Sequence, residues 1–550
     1  MNMIMNIRSK NIFSGYQKKW TYDPVSFLII FLFFVNGVWS ASQISKTYDE
    51  DTHLEFGLSL LNGNAERPWE SVMPISAWNA LPKFISAALP NGSVRDILEM
   101  HIAARIMSLL FSCGVAYLVF HFSRSLYGLI PAFFSLLLFV FDPNILAHSQ
   151  LVTTDIYATG ALLLTAFSTW RYAQNRNWSN RVLFASSLGF SLVTKFTAMS
   201  YIPLFFLILI LHDWQRMRNG DRRSGENLRT FHDYVILASL TVVMSVIVLN
   251  VAYRFHRSFV PFGEYAFRSE VFDGFQKELP LLNKVPMPVP YAHLQGFDWI
   301  LAFENSGEGH GYHYFLGELR SGEGFPGYFV VAFLLKEPIS SQIIIGLAVI
   351  LYLLRQDRRS RFWKHEMFLF IPVAFYTIYF NFFYNSQIGI RYYLIIFPLL
   401  HIFAGSLFVD WAFLPKRAKL AGALAVVYLV VSTLSYFPYY LPYFNEIIWN
   451  RNNAYKYLAD SNLDWGQGRD ALQKYLIDNP DVSYPTRFVR SGTFVIGAND
   501  LVGIKDPAVY AWLRENFEPI DNVAYSYLVF EVTSDSKREL CLNTSYCAGK

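Results

Sequence analysis

Charged side chains are scarce in this 550-residue chain: they make up 16% of it, against roughly a quarter in typical soluble domains. Hydrophobic residues account for 53%, and the mean hydropathy is +0.25. This composition excludes an ordinary soluble globule and predicts an all-α polytopic membrane protein. Three cysteines are too few for a disulfide framework or a four-thiolate metal site. The net charge of +4 is too small to indicate a nucleic-acid partner.

Several catalytic motifs are also missing. The sequence contains no phosphate-binding P-loop and no serine-hydrolase elbow. The glycines near His310 neither follow a predicted strand nor open a predicted helix, so they do not form a dinucleotide-binding fingerprint. Nucleotide-dependent and α/β-hydrolase chemistry are therefore not indicated.

What the sequence does contain is a series of apolar runs of about 20 residues, the length that crosses a bilayer. Segment 24–43 follows a basic head and is predicted to be an uncleaved anchor rather than a signal peptide. About eleven spans are predicted: 24–43, 100–121, 126–146, 151–170, 181–196, 198–212, 233–253, 328–354, 366–384, 390–411 and 418–437.

Lys and Arg collect in alternate loops, which predicts that those loops are cytoplasmic. Residues 1–23 then form a cytoplasmic N-terminal segment, and the transmembrane module covers 24–437. Its long extracytoplasmic loops are 44–99 and 254–327. This pattern predicts an integral protein of the plasma membrane, with its N-terminus in the cytoplasm.

The odd number of spans places residues 438–550 outside, and there the composition changes. Segments 453–480 and 507–517 have a helical pattern, whereas 486–497 and 523–534 are typical of strands. We therefore predict a small C-terminal extracytoplasmic α/β domain. Cys541 and Cys547 lie in it on the oxidising side, and the sequence leaves their pairing open.

Unusual acidic residues stand at the exterior ends of the spans. Asp49 and Glu50 follow the first span directly, and a partly desolvated carboxylate there can act as a general base. Asp155 opens the fourth span and is a second candidate. The alternatives are a solvated cluster of juxtamembrane charges for the first pair and a helix cap for Asp155.

Cations also occur where the positive-inside rule disfavours them. Lys195 interrupts an apolar stretch, Arg391 opens a span on the exterior side, and Lys336 ends another apolar run. Such placement indicates an anionic ligand, with phosphate as the clearest candidate. The alternative is that these side chains reach the lipid headgroups.

A divalent metal is left open by one further pattern. His310 and His313 form a His-x-x-His motif, with Glu318 nearby. These side chains could bind a metal ion, although no predicted helix holds the two imidazoles together.

Together, these segments resemble the GT-C glycosyltransferases, in particular the bacterial branch related to protein O-mannosyltransferases and lipid A aminoarabinose transferases. The resemblance extends along nearly the whole chain. The segments that carry it are "YDEDTHLEFGLSLLNG", "DPNILAHSQLVTTD", "GFSLVTKFTA", "GHGYHYFLGELRSGEGFPGYFVVAFLLKEP", "IGIRYYLIIFP" and "YFPYYLPYFNE" followed by "DSNLDWGQG".

The resemblance implies transfer of a sugar from a polyprenyl-phosphate carrier to an acceptor hydroxyl on the outer face, with inversion. It implies that Asp49 is the general base with Glu50 as its companion. The predicted substrate-binding residues are His53, His148, Asp155, Lys195, Lys336 and Arg391. One departure, "MPISAWNALPK" in place of a His-Pro-Pro-Leu-like stretch, affects acceptor identity more than the chemistry.

The expected partners are the lipid-linked sugar donor, a hydroxyl acceptor on protein, lipid or glycan, and membrane lipids. No nucleic acid is expected. The alternatives are a ligase of whole glycans, a transporter or flippase of lipid-linked sugars, and a structural membrane subunit. The scarcity of charge at the centres of the spans disfavours the transporter, which needs midplane groups for coupling.

Overall fold

The computed structural model describes residues 23–67, 69, 71–219, 226–306 and 311–547 and is mostly helical. The predicted cytoplasmic segment 1–23 lies outside this range except for Asp23. Asp23 caps the first helix by accepting hydrogen bonds from the backbone N–H groups of Val25 and Ser26, at 3.1 and 3.3 Å. Pro24 occupies the first helical position, where its missing N–H costs nothing.

The first half of the chain alternates long apolar helices with shorter ones. In order, they are α1 (Pro24–Ala41), α2 (Glu50–Leu61), α3 (Ser76–Ser86), α4 (Ser93–Glu99), α5 (His101–Tyr127), α6 (Leu129–Val140), α7 (Pro143–Ser149), α8 (Asp155–Gln174), α9 (Trp178–Ser191), α10 (Tyr201–Arg218) and α11 (Glu226–Ala252). Helices α2, α3 and α4 fold within the predicted exterior loop 44–99.

The second predicted exterior loop holds α12 (Glu270–Glu278), α13 (Tyr291–Ser306) and an antiparallel hairpin of β1 (Tyr312–Phe315) and β2 (Glu318–Ser321). The membrane part then continues with α14 (Tyr328–Lys336), α15 (Ile339–Leu354), α16 (Gln356–Arg359), α17 (Met367–Phe382), α18 (Phe397–Gly405) and α19 (Lys416–Leu434). A 3-10 segment, Ile390–Ile396, leads into α18.

Among the described helices, six are long and apolar enough to cross a membrane, or up to eight if each of two bent pairs counts as one span. The chain is an integral membrane protein, but the predicted count of eleven spans is not confirmed. Each predicted span nevertheless coincides with one or two helices. The difference arises because α8, which contains Asp155, Arg171 and several Ser and Thr residues, is not apolar enough, and because α9 and α17 are shorter than 18 residues.

Each of the two bent helix pairs breaks at a proline. Helix α6 turns by 64° into α7, where Asp142 caps the new helix and Pro143 begins it. Helix α14 turns by 116° into α15 across Glu337 and Pro338. Proline lacks an N–H and cannot continue the hydrogen bonding of the preceding helix.

The C-terminal tail contains α20 (Arg469–Asp478), β3 (Val482–Ser483), β4 (Gly492–Gly497), α21 (Ala498–Val502), α22 (Ala511–Asn516), β5 (Asp521–Val523), β6 (Tyr527–Val532) and α23 (Ser534–Asn543). The sheet order is β3-β4-β6-β5, with only β3 and β4 parallel. Cys541 and Cys547 form a disulfide, and Cys113 is not disulfide-bonded. Whether residues 438–550 form a domain of their own remains a prediction.

One part of the tail differs from the helix predicted at 453–480, since only its last third is α-helical. Residues 457–468 are irregular apart from a short 3-10 turn, Asp460–Asn462. Asp460 and Gly466 both have positive φ, at 57° and 90°, which an α-helix does not allow. The helical pattern is overridden here by contacts with distant segments, described below.

The topology can be tested with single cysteines in a background in which Cys113 is replaced by serine. We expect Gln356→Cys to be shielded from an impermeant thiol reagent in intact cells and Asp478→Cys to be labelled. Both positions are exposed in the structure, and the Lys and Arg asymmetry places them on opposite sides. Labelling of Asp478→Cys only after the cells are opened would contradict this topology.

Candidate active site

Asp49 lies at the start of α2, in the N-cap position, but its side chain makes no capping hydrogen bond. Instead, its Oδ2 lies 3.2 Å from Nη1 of Arg391. The Asp49 side chain is 41% exposed, whereas that of Arg391 is 11% exposed. The carboxylate of Asp49 is therefore exposed at the protein surface, whereas the guanidinium of Arg391 lies within the protein.

Arg391 is framed by two aromatic rings. Its guanidinium carbon lies 4.1 Å from the ring centre of Trp465 and 5.4 Å from that of Tyr392. Its Nε is buried and has no hydrogen-bond partner among the described residues. Stacking on aromatic faces fixes a guanidinium plane, so this donor is available for an anion in a defined orientation.

A second ion pair stands beside the first. Lys195 Nζ lies 2.6 Å from Asp155 Oδ1 and 4.2 Å from the ring centre of Tyr392. Asp155 is the first residue of α8, but its carboxylate pairs with Lys195 rather than simply capping the helix. Tyr392 thus packs against two of the three predicted phosphate-binding cations, Lys195 and Arg391.

Two histidines approach these carboxylates. His148 Nδ1 is 4.0 Å from Asp155 Oδ2, and both residues are buried. His53 Nδ1 is 3.3 Å from the hydroxyl of Ser76. Burial lowers the pKa of His53, opposed by the negative charges of Asp49 and Asp155, so we expect a neutral imidazole.

The segment before Asp155 is rich in unsatisfied polar atoms. Four buried side-chain atoms there have no hydrogen-bond partner within the described part of the chain: His148 Nδ1, Ser149 Oγ, Gln150 Oε1 and Thr153 Oγ1. Buried polar groups in proteins are nearly always paired with protein, water or ligand. This concentration is typical of a place where a polar ligand or ordered water supplies the missing partners.

Glu50, the predicted companion of the base, points elsewhere. It is fully buried and paired with Arg105, with Nη2 to Oε1 at 2.7 Å and Nε to Oε2 at 2.9 Å. It also accepts hydrogen bonds from the backbone N–H groups of Thr47 and Val152. Although burial alone would raise the pKa of Glu50, Arg105 and His101 hold it well below its usual range. This geometry joins α2 to α5 and to the segment before α8.

Lys336 does not offer its ammonium to a phosphate. Its Nζ donates to the backbone carbonyls of Leu441, Tyr443 and Asn462 at 2.9, 3.1 and 2.7 Å, which uses all three N–H groups. The expectation that Lys336 clamps the donor is therefore replaced by a role in anchoring the tail to α14.

The predicted metal ligands do not meet in the described part. His313 is buried in β1, whereas Glu318 is exposed in β2 and lies 3.8 Å from Arg320. His310 lies outside the described residues, so the metal prediction for this motif stays untested.

The tail contributes residues that the sequence did not single out. The backbone N–H groups of Ser45 and Tyr48 donate to the carbonyls of Gln467 and Trp465 at 3.0 and 3.1 Å. We call residues 460–467 the tail loop. At Gly466 a Cβ atom would come within 3.2 Å of the Tyr48 ring, and its φ of 90° is also unfavourable for other residues.

Two carboxylates of the tail loop have raised pKa values, and one of them, Asp460, lies close enough to Arg391 to be affected by its charge. Burial raises the pKa of Asp460 to about 6, against the opposing charge of Arg391. Burial likewise raises the pKa of Asp464 to about 6. In the sequence, nothing beyond their polarity marks Asp460 and Asp464 as functional. Only the family resemblance of "DSNLDWGQG" indicated that this segment belongs to the site.

Residues 98–249 of the chain match the family model described as dolichyl-phosphate-mannose-protein mannosyltransferase. The predicted resemblance is confirmed over this segment. The mannosyltransferase match includes His101, Arg105, His148, Asp155 and Lys195, and thus about half of the site. No curated protein sequence matches the chain.

Two solved structures match the chain at low sequence identity. The oligosaccharyltransferase AglB from Archaeoglobus fulgidus, in complex with an inhibitory peptide and a dolichol-phosphate, is 12% identical; the match covers 76% of this chain and 55% of AglB, with a TM-score of 0.44. ArnT from Cupriavidus metallidurans, bound to undecaprenyl phosphate, is 11% identical; coverage is 94% and 99%, with a TM-score of 0.31. The chain thus spans little more than half the length of AglB.

Proposed function

We propose that the protein is a membrane glycosyltransferase that transfers a sugar from a polyprenyl-phosphate carrier to an acceptor hydroxyl on the extracytoplasmic face, with Asp49 as the general base. The observation that carries the proposal is the pair of contacts Asp49–Arg391 and Asp155–Lys195, which gather two carboxylates and two cations around Tyr392. The match to the mannosyltransferase family over residues 98–249 supports it.

Each part of this arrangement has a task in the reaction. The acceptor oxygen forms a bond to the anomeric carbon while the bond from that carbon to the phosphate oxygen breaks. Asp49 takes the hydroxyl proton, and the carrier phosphate leaves with the bonding electrons. Attack from the face opposite the leaving group inverts the anomeric carbon. The sugar phosphodiester already has a good leaving group, the phosphate monoester of the carrier, which needs no strong general acid, so cations are enough to stabilise it.

The solvent exposure of Asp49, Arg391 and Lys195 supports the roles proposed for them. The carboxylate of Asp49 is accessible to an acceptor from outside, whereas Arg391 and Lys195 are recessed. The unsatisfied polar atoms of residues 148–153 lie in the segment that precedes Asp155, where sugar hydroxyls would find partners. We further propose the inner membrane of a bacterium as the location, on the basis of the resemblance to the bacterial branch, with the orientation given by the Lys and Arg asymmetry.

The proposal is tested by Arg391→Ala, which we expect to weaken binding of undecaprenyl phosphate by about tenfold or more through loss of charge-assisted hydrogen bonds. Arg391→Lys should restore only part of the affinity because a single ammonium cannot replace the stacked fork. Titration of the purified protein with undecaprenyl phosphate, followed by native mass spectrometry, would measure both effects.

Arg355→Ala is the matched control, since Arg355 is an exposed arginine paired with Asp357 and Asp410 on the predicted cytoplasmic side. It should bind the carrier like the parent. Unchanged binding in both Arg391 variants would contradict the donor site.

A further inference from the structure

A second group of titratable side chains lies outside the proposed active site. Asp142, Glu337 and His401 meet where the two bent helix pairs contact α18, and all three are buried. Each residue offers one ligand atom, and these atoms all lie within 4.8 Å of one another. We call these three residues the hinge cluster, because Asp142 and Glu337 stand at the two helix breaks.

Several polar atoms of the hinge cluster lack well-formed hydrogen bonds. Asp142 Oδ2, both carboxylate oxygens of Glu337 and His401 Nδ1 are buried and form no hydrogen bond of good geometry in the described structure, although the two carboxyl groups and the Ser341 hydroxyl lie close to one another. The other oxygen of Asp142 accepts from the backbone N–H groups of Asn144 and Ile145, which fixes the orientation of the carboxylate. Leaving such groups unpaired in the interior is costly.

The spacing of the cluster fits a shared cation. His401 Nε2 lies 3.5 Å from Asp142 Oδ2 and 3.5 Å from Glu337 Oε1. A typical hydrogen bond between nitrogen and oxygen is shorter, about 2.7–3.2 Å. Two ligands bound to Zn²⁺ at about 2.0–2.2 Å in tetrahedral geometry are roughly 3.3–3.6 Å apart.

Charge gives a second reason for a cation. Two carboxylates beside a neutral imidazole would place two negative charges in the interior. Lys336, the neighbour of Glu337 in the chain, donates all its N–H groups to backbone carbonyls and none to the cluster. A divalent ion would neutralise the pair, and one imidazole with two carboxylates is a donor set that Zn²⁺ accepts.

We propose that Asp142, Glu337 and His401 bind a divalent transition-metal ion, with Zn²⁺ as the best match, and that this ion holds the two helix breaks against α18. The competing occupant is a proton shared between the two carboxyl groups. The proposed site is distinct from the His310, His313 and Glu318 motif and from the transfer chemistry assigned to Asp49.

The position of the hinge cluster connects it to the active site. Asn144 Nδ2 donates to the carbonyl of Lys336 at 2.8 Å, which ties the two breaks together. Helix α7, which begins next to Asp142, carries His148 toward Asp155. Lys336 donates a hydrogen bond to the backbone carbonyl of Asn462. The side-chain oxygen of Asn462 in turn accepts from the backbone N–H of Ile390, the residue before Arg391. We therefore expect that loss of the ion would make both the segment of His148 and the segment of Arg391 less rigid.

The test is metal analysis of the full-length protein, purified in detergent with a tag that contains no histidine. We expect about one Zn²⁺ per chain in the parent and at least a tenfold lower content in His401→Gln and Glu337→Gln. His365→Gln is the matched control, because His365 is a partly enclosed histidine that contacts Trp170 Nε1 at 3.3 Å, away from the hinge cluster. It should retain the metal.

A strong chelator should lower the melting temperature of the parent, and added Zn²⁺ should restore it. If the variants do not fold, X-ray absorption on the parent decides: a first shell of one imidazole and oxygen ligands supports the site. A parent with no stoichiometric metal, and no stabilisation by added Zn²⁺ or Mn²⁺, would overturn the proposal in favour of the shared proton. Carrier binding by the Arg391 variants is measured separately, so failure here leaves the proposed function to its own test.

Discussion

An Asp49→Asn variant is expected to lose turnover by on the order of a hundredfold or more, because asparagine keeps the shape of the side chain but cannot accept the acceptor proton. Binding of the carrier should survive and can become tighter, since the substitution releases Arg391 from its partner at 3.2 Å. Steady-state transfer assays with a carrier-linked sugar would measure kcat, and titration with undecaprenyl phosphate would measure affinity.

The matched control is Asp51→Asn, two residues further along the same helix. Asp51 is exposed and paired with Lys46 at 2.9 Å, away from the cations of the site. Its activity should be close to that of the parent. If Asp49→Asn transferred normally while Asp155→Asn abolished transfer, the base would have to be reassigned to Asp155.

An Arg105→Ala variant should have the largest effect on stability. It would leave Glu50 buried and charged without its main partner, which typically costs about 3–5 kcal/mol. The exposed pair of Arg95 and Glu99, at 2.8 Å, is the control, since Arg95→Ala should cost no more than about 1 kcal/mol. Unfolding of the purified variants in detergent, followed by fluorescence, compares the two.

A Glu50→Gln variant separates two roles for Glu50. If Glu50 tuned the base directly, Glu50→Gln would change the pH profile of kcat while leaving unfolding nearly unaltered. The bonds to Arg105, Thr47 and Val152 lead us to expect the reverse, a loss of stability with an unchanged pH profile. Equal stability of Arg105→Ala and Arg95→Ala would contradict the anchoring role.

Much of the candidate site could be predicted from the sequence because its residues break a physical rule. Charged residues at the predicted exterior edge of an apolar span are functional candidates, because charge deeper in the span is costly and the positive-inside rule disfavours cations on that side. Asp49, Asp155, Lys195 and Arg391 all stand at such edges, and the structure brings them together around Tyr392. Their catalytic and binding roles remain predictions, since geometry alone does not show them.

Three other features could not be predicted from the sequence, because they depend on contacts between residues that are far apart in the chain. Lys336 looked like the other cations, but its three carbonyl partners come from residues about a hundred positions away. The tail loop had a helical pattern, yet its conformation is determined by long-range hydrogen bonds to Ser45 and Tyr48. The hinge cluster is formed by three distant segments, so no local spacing could reveal it.

The contact between the tail loop and the first exterior loop also bears on the biosynthesis of the protein. Ser45 and Tyr48 emerge early in translation, but the carbonyls of Trp465 and Gln467 that receive their hydrogen bonds arrive more than 400 residues later. Asp49, directly after Tyr48, therefore gains its final surroundings only when almost the whole chain has been made and, in the predicted topology, its tail has crossed the membrane. Partly synthesised chains would carry the candidate base without the tail-loop side of the site, which couples completion of the site to completion of membrane insertion.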